Sequence, residues 1–216
     1  MLDIGLPAGG EMLLLFVYFS VVYWLIQDFG APAQAGFSIG GRIMQSIFMP
    51  TMAIAFAVGP IVGQSFGAGL GARVRETCHR GMLLSSGVML LVTLLMQWRP
   101  EVMITFFTDE VDVIAVGADF LQLISLNFVA QGIVFTCSGA FQGLGNTRPA
   151  LISSAIRLLI FIPIVVYLKY QPDFSIKQVW YVSILSVTVQ GVASFLLLRR
   201  QFKLKLNIEP LPATPA

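Results

Sequence analysis

The chain has 216 residues, of which 56% are hydrophobic and 11% are charged, with a formal net charge of +2. Its mean hydropathy is +0.83. Soluble domains carry about 25% charged residues, so this chain has too few charges to cover a soluble surface. The composition argues against a soluble globular protein, a disordered tail and a nucleic-acid binder, because a nucleic-acid footprint needs Lys and Arg clustered on one face. An integral membrane protein is predicted.

Long apolar runs predict an all-α membrane protein with six spanning helices. A span needs about 20 apolar residues, and continuous runs favour helices over the alternating segments of a membrane barrel. The predicted spans are 6–29, 35–64, 78–98, 113–142, 150–170 and 179–198. Spans two and four are long enough to tilt or to extend past the bilayer. Pro50, Pro60 and Pro163 each remove a backbone donor and are expected to kink their helices.

The segments outside the spans differ in composition. The connection at 63–80 is rich in glycine and then basic, whereas the connection at 99–112 mixes aromatic and acidic residues. The second pattern is typical of a short amphipathic segment at the membrane interface. Residues 1–200 are predicted to form one six-helix unit. Residues 201–216, which include three prolines, are predicted to be a disordered cytoplasmic tail.

The distribution of basic residues predicts the orientation. One side of the predicted membrane carries eight of them, namely Arg73, Arg75, Arg80, Arg148, Arg199, Arg200, Lys203 and Lys205. The other side carries only Arg99, Lys169 and Lys177. Cytoplasmic loops hold the excess of Lys and Arg. Both termini are therefore predicted to be cytoplasmic, in a multi-pass protein of the plasma (inner) membrane.

Polar residues inside the spans recur at helical spacing. Such residues cost several kcal/mol at the bilayer centre, so they face a bundle interior or a wet cavity. The candidate cavity-lining residues are Tyr18, Arg42, Gln45, Met49, Asn127, Gln131, Ser138, Arg157 and Gln190. One interpretation is that they line an aqueous cavity for chemically varied ligands. The alternative is that they form interhelical hydrogen bonds that hold the bundle together.

Glu11 is the acid most clearly placed inside a span. A carboxylate removed from bulk water can bind and release a proton or a cation, which makes Glu11 the candidate cation-coupling residue. The alternative is that the positive end of its own helix stabilises the charge.

Enzyme motifs do not occur in the sequence. His79 is the only histidine and has no HExxH context, and no GxSxG element is present. The glycines at 67, 69 and 71 lack the Lys-Ser/Thr of a phosphate-binding loop. Neither an enzymatic activity nor a metal site is therefore predicted.

Several motifs, in this order and spacing, resemble the multidrug and toxic compound extrusion (MATE) family of transporters. They are GLPAG at 5–9, the stretch 36–64 ending in GPIVGQ, FGAG at 66–69, FFTD at 106–109 and GAFQGLGNTRP at 139–149. The resemblance extends over nearly the whole chain. It implies a protein with twelve spans in two six-helix lobes, of which this chain is similar to the second.

The resemblance also implies a function. It predicts secondary active export of cationic or amphipathic compounds, driven by entry of H⁺ or Na⁺ and without any other cofactor. Some members bind the coupling cation through acids in spans seven and ten, and Leu15 and Gln131 align with those acids here. The second-lobe sodium site is therefore not expected, and Glu11 replaces it only in a shifted helix register.

Because the chain resembles only the second lobe, a first lobe is expected as its partner. The first lobe can be lost by truncation, be encoded as a separate chain, or be replaced by a second copy in a homodimer. The other partners expected are small-molecule substrates and membrane lipid, but no nucleic acid. Two further functions stay open: a fragment or assembly subunit without transport of its own, and a flippase for lipid-linked precursors.

Overall fold

The computed structural model describes residues 2–206, with side chains from residue 5 onward, and this part of the chain is predominantly helical. Its helices are α1 (Leu2–Ile26), α2 (Ala31–Gly67), α3 (Gly71–Trp98), α4 (Pro100–Thr105), α5 (Val111–Ile124), α6 (Phe128–Gly143), α7 (Arg148–Lys169) and α8 (Ile176–Lys205). Short 3₁₀ turns follow α1 and join α5 to α6. Within the described range, six helical segments are long and apolar enough to cross a membrane. The predicted fold class is confirmed.

At the basic end of the spans, two connections differ from the sequence prediction. The connection at 63–80 shrinks to residues 68–70, because α2 continues to Gly67 and α3 begins at Gly71. The predicted tail is helical over 201–205, because α8 continues to Lys205. Hydropathy detects only the apolar part of a helix. It therefore does not predict the polar helical turns that extend α2, α3 and α8 beyond their apolar parts. Residues 207–216 lie outside the described residues.

The fourth predicted span is not one uniform helix. A 3₁₀ turn at Ser125–Asn127 separates α5 from α6, and such tight turns leave no mark in a hydropathy profile. Conversely, α2 runs through Pro50 and Pro60, and α7 runs through Pro163, without a break. In the predicted interfacial segment, α4 is a short helix whose Ile104 is buried while Phe106 beyond it is exposed.

Glycines end α2 and α6 with the same backbone motif. At the end of α2, Gly69 has φ 73°, and the amide of Leu70 donates to the carbonyl of Ser65 at 2.9 Å. At the end of α6, Gly145 has φ 67°, and the amide of Asn146 donates to the carbonyl of Phe141 at 3.0 Å. A positive φ followed by this bond defines the Schellman motif. The FGAG and QGLGN sequences therefore encode helix ends.

Small residues bring α2 and α6 into backbone contact. A Cβ added to Gly139 would collide with the carbonyl oxygen of Ala55, and one added to Gly143 would collide with that of Gly59. A Cβ on Gly59 would in turn lie 3.2 Å from the carbonyl oxygen of Gly139. Small residues four apart on facing helices allow this approach in membranes. The α2–α6 pair is thus packed backbone to backbone in the described part of the chain.

Aromatic side chains fill the core between α2, α5 and α8. Phe37 stacks on Trp180 with ring centroids 5.6 Å apart, and Phe120 meets the same indole edge-on at 4.7 Å. Gly40 leaves room for the Phe120 ring, which a Cβ at this position would overlap. Edge-to-face and stacked aromatic pairs add to burial energy, so this cluster fixes α5 and α8 on α2.

Candidate functional site: an interior polar cluster

The interior polar cluster lies between α1, α6, α7 and α8. Its members are Glu11, Tyr18, Ser138, Ser154, Arg157, Ser183 and Gln190, all partly or fully buried. Five of the ten residues predicted from the sequence to form the site, namely Glu11, Tyr18, Ser138, Arg157 and Gln190, belong to it. Ser154 and Ser183 enter as their hydrogen-bonding partners.

Glu11 pairs with Ser138 across α1 and α6. The Ser138 hydroxyl donates to the Glu11 carboxylate, with Oγ 3.1 Å from Oε2 and 3.5 Å from Oε1. None of the three ion pairs among residues 5–206 includes Glu11. Because α1 begins at Leu2, Glu11 lies more than two turns inside it, beyond the first turn where the helix dipole acts. This position weakens the helix-dipole interpretation of the charge.

Tyr18 lies two turns further along α1 and connects three helices. Its hydroxyl oxygen is 2.7 Å from the Ser183 Oγ on α8. The Arg157 guanidinium of α7 lies over its ring, with Cζ 3.9 Å from the centroid. Phe161 packs against the same ring at 4.8 Å. Tyr18 is therefore held on its hydroxyl and on its ring.

Gln190 connects α8 to α7 in the interior. Its Nε2 donates to the Ser154 Oγ at 3.1 Å, and only 3% of the residue is exposed. Its Oε1 is buried and has no hydrogen-bond partner among the described residues. Buried polar atoms are nearly always satisfied, so a bound water is the expected partner of this acceptor. The serine partner is one turn from Arg157 along α7.

The remaining predicted residues do not join this cluster. Arg42, Gln45 and Met49 lie together on the exposed side of α2, where Met49 is 66% exposed. Asn127 is buried in the 3₁₀ turn, and its Oδ1 has no partner in the described part of the chain. Gln131 is partly exposed on α6. The structure does not test a cavity role for these five residues, which stays a prediction.

A separate set of hydrogen bonds joins α3 to α6 and to the turn before it. The Ser85 and Thr136 hydroxyl oxygens are 2.9 Å apart, and Thr93 donates to the Ser125 carbonyl at 2.9 Å. Gln97 Nε2 donates to the Ser125 Oγ at 2.9 Å. These contacts have the character of interhelical bonds that hold the bundle. Sequence reasoning did not single them out, because isolated hydroxyl residues in a span carry no distinctive spacing.

We expect Tyr18→Phe to destabilise the lobe slightly, because it removes the bond to Ser183 but keeps the ring under Arg157. The loss should be about 0.6 kcal/mol, as is typical of such bonds in membranes. Thermal unfolding of the purified chain in detergent measures it. Tyr23→Phe is the matched control, since the Tyr23 hydroxyl contacts Ser38 at an exposed position. Equal effects of the two changes would contradict the structural role of the buried bond.

Metal-ligating groups do not cluster in the part of the chain described. No group of three or more His, Cys, Asp or Glu side chains is close enough to hold a metal ion there. Cys78 and Cys137 are both free thiols and buried. The chemistry available to the cluster is therefore that of one carboxylate, one guanidinium, an amide and several hydroxyls.

Six apolar helices around a polar interior define a multi-pass helical membrane protein of the transporter type. The MatE family model matches residues 7–167, and the chain belongs to this family. Its members are transporters rather than enzymes. The resemblance inferred from the sequence motifs is confirmed.

The curated relatives are longer than this chain. A probable multidrug resistance protein NorM from Deinococcus radiodurans is 32% identical over 158 residues, which cover 71% of this chain and 34% of the relative. The chain thus spans about a third of that relative's length. It spans somewhat more, up to 42%, of other NorM proteins.

Solved structures agree on the fold. The MATE transporter VcmN of Vibrio cholerae, in a bent form, matches with a TM-score of 0.86 at 20% identity, covering 94% of this chain and 46% of its own. The MATE transporter ClbM in complex with Rb⁺ matches with a TM-score of 0.85 at 23% identity, covering 94% of this chain and 48% of its own. The chain therefore has the fold of about half of these transporters.

Proposed function

We propose that this chain is the second lobe of a multidrug exporter and works with a first lobe. It exchanges H⁺ or Na⁺ for cationic or amphipathic compounds across the plasma membrane, with both termini in the cytoplasm. The observation that carries the proposal is the Glu11–Ser138 pair, a partly buried carboxylate that forms no ion pair with any described residue of this MatE-family chain. Relatives named as multidrug resistance proteins support the substrate class.

The surroundings of Glu11 suit a reversible cation site. A hydroxyl and two carboxylate oxygens are hard ligands for a proton or a small monovalent cation, and a carboxylate without an ion-pair partner gains most from binding one. By the family resemblance, Leu15 and Gln131 stand where some members carry cation-binding acids, and neither side chain can ionise. Glu11 is therefore the residue of this lobe to which we assign coupling.

The polar cluster also supports alternating access. Tyr18, Ser183 and Gln190 join helices by single hydrogen bonds between side chains, which can be exchanged for water at low cost. A partner lobe on the open side of α1 and α2 would close a cavity between the two lobes. The partner is a first MATE lobe, supplied by a separate chain, by a second copy or by the longer protein from which this piece derives.

The length difference favours one alternative. A chain that spans about a third to a half of its relatives can be an assembly subunit or a fragment without transport of its own. A lipid-linked precursor flippase ranks lower, because such a protein needs a more basic cavity than the partly buried Arg157 and the exposed Arg42 provide.

Efflux measurements test the proposal. The chain is expressed in a strain without its own multidrug exporters, alone and together with the first six helices of the Deinococcus radiodurans NorM. We expect export of a cationic fluorescent dye from the pair, and loss of that export when the ion gradients are collapsed. The same NorM split into two halves is the positive control. If the split NorM exports dye, but this chain is inserted in the membrane and exports none in either arrangement, the proposal is wrong.

A further inference from the structure

Arg157 lies on α7, a helix long and apolar enough to cross a membrane, and has no ion-pair partner among the described residues. It lies nine residues past the start of α7, about 13 Å along the axis at 1.5 Å per residue. An unpaired guanidinium within a membrane-spanning helix is costly, so we expect a compensating anion.

The guanidinium is already oriented. Tyr18 lies against one of its faces, and the Tyr18 ring is itself fixed by Ser183 and Phe161. The Nε of Arg157 is enclosed and has no acceptor among the described residues. The residue as a whole is only partly buried, and its two terminal nitrogens can bind an acceptor in two places, such as a carboxylate.

Glu11 is not the missing partner. It is bonded to Ser138, and it lies seven residues from Tyr18 along α1, about 10 Å of helix rise. The cluster therefore holds one negative and one positive site at separate levels.

We propose that Arg157 forms an anion-binding subsite for the carboxylate of a transported amphipathic compound. The inference rests on the proposed export function. It specifies that the exported compounds include zwitterionic ones. Arg157 binds the carboxylate through its N–H fork, the Tyr18 ring holds the guanidinium in place, and Glu11 remains available for a cation.

A matched pair of dyes tests this subsite by binding alone. Tetramethylrhodamine and its methyl ester share the same cationic ring system and differ in the carboxylate. Fluorescence anisotropy with the purified full chain in phosphatidylcholine nanodiscs gives both affinities. We expect the carboxylate dye to bind about tenfold to a hundredfold more tightly than the ester, as for a charged hydrogen-bonded pair.

Substitutions at the arginine decide the assignment. Arg157→Gln should bring the ratio of the two affinities close to one, and Arg157→Lys should restore part of the preference. Arg200→Gln, which removes an exposed charge at the end of α8, should leave the ratio unchanged. Melting curves of each variant show that the lobe still folds.

The outcomes separate this subsite from export itself. Wild-type protein that binds the carboxylate dye no more tightly than the ester contradicts the subsite, whether or not either dye is exported. An unchanged ratio in a folded Arg157→Gln variant does the same. If that variant only weakens association with a first lobe, Arg157 pairs with an acid of the partner and the inference is wrong. Preference without export by the paired lobes would leave the subsite standing and overturn the transport function.

Discussion

Gly139→Val should prevent the lobe from forming a stable bundle. The new side chain would meet the backbone of Ala55 rather than a flexible side chain, so α6 has to move away from α2 to accept it. Overpacking a core costs about 1–3 kcal/mol where side chains can yield, and the cost rises where they cannot. We expect little monodisperse protein in size-exclusion chromatography and a lower melting temperature in detergent.

Gly87→Val is the matched control for this change. Gly87 also lies inside a long helix, α3, but it is exposed and a Cβ there would meet no atom within 4 Å. The two substitutions share the same change in helix propensity and differ in the contact. Equal yields and equal melting temperatures would show that α2 and α6 are not in backbone contact.

Glu11→Gln should abolish ion-driven export by the paired lobes. The amide keeps the size of the side chain and can still contact Ser138, but it cannot carry the charge that a coupling cation neutralises. We expect the part of dye export that depends on the ion gradient to fall by at least about tenfold, equivalent to 1.4 kcal/mol. Dye binding to the purified chain should change far less.

Two further variants sharpen the assignment of Glu11. Ser138→Ala removes the hydroxyl that orients the carboxylate, and it should lower coupled export while leaving some of it. Glu76→Gln is the charge-matched control, because Glu76 forms an exposed pair with Arg80 one turn away on α3. Normal gradient-driven export by the Glu11→Gln pair would return Glu11 to a structural role.

The polar residues at helical spacing within the spans were informative, because burying a polar group in a membrane costs free energy. Glu11, Ser138 and Arg157 stood out by residue type alone, and their helical spacing placed them on the inner faces of their helices. The sequence could not show which of these faces meet. Arg42, Gln45 and Met49 follow the same spacing, yet they lie on the exposed side of α2, because spacing fixes a face and only packing decides what covers it.

The backbone contacts between α2 and α6 were missed for a different reason. Gly59 and Gly63 are four apart, as are Gly139 and Gly143, which is the known pattern of close helix approach. The spacing of these glycines was therefore sufficient to predict the contact. In the sequence analysis they contribute only to the motifs that resemble the MATE family. The turn at Ser125–Asn127 left no usable signal, since it interrupts an apolar run without a proline or a charge.

The uneven packing of α1 has a mechanical consequence. This helix lies along α7 and touches α2 only sparsely, whereas α2 and α6 are locked together through their backbones. The Glu11–Ser138 hydrogen bond is therefore a side-chain link between α1, which packs mainly on α7, and the closely packed α2–α6 pair. Under the proposed function, a cation bound by Glu11 and Ser138 would act directly on this link. It would change how α1 lies against α6 without disturbing the backbone contacts between α2 and α6.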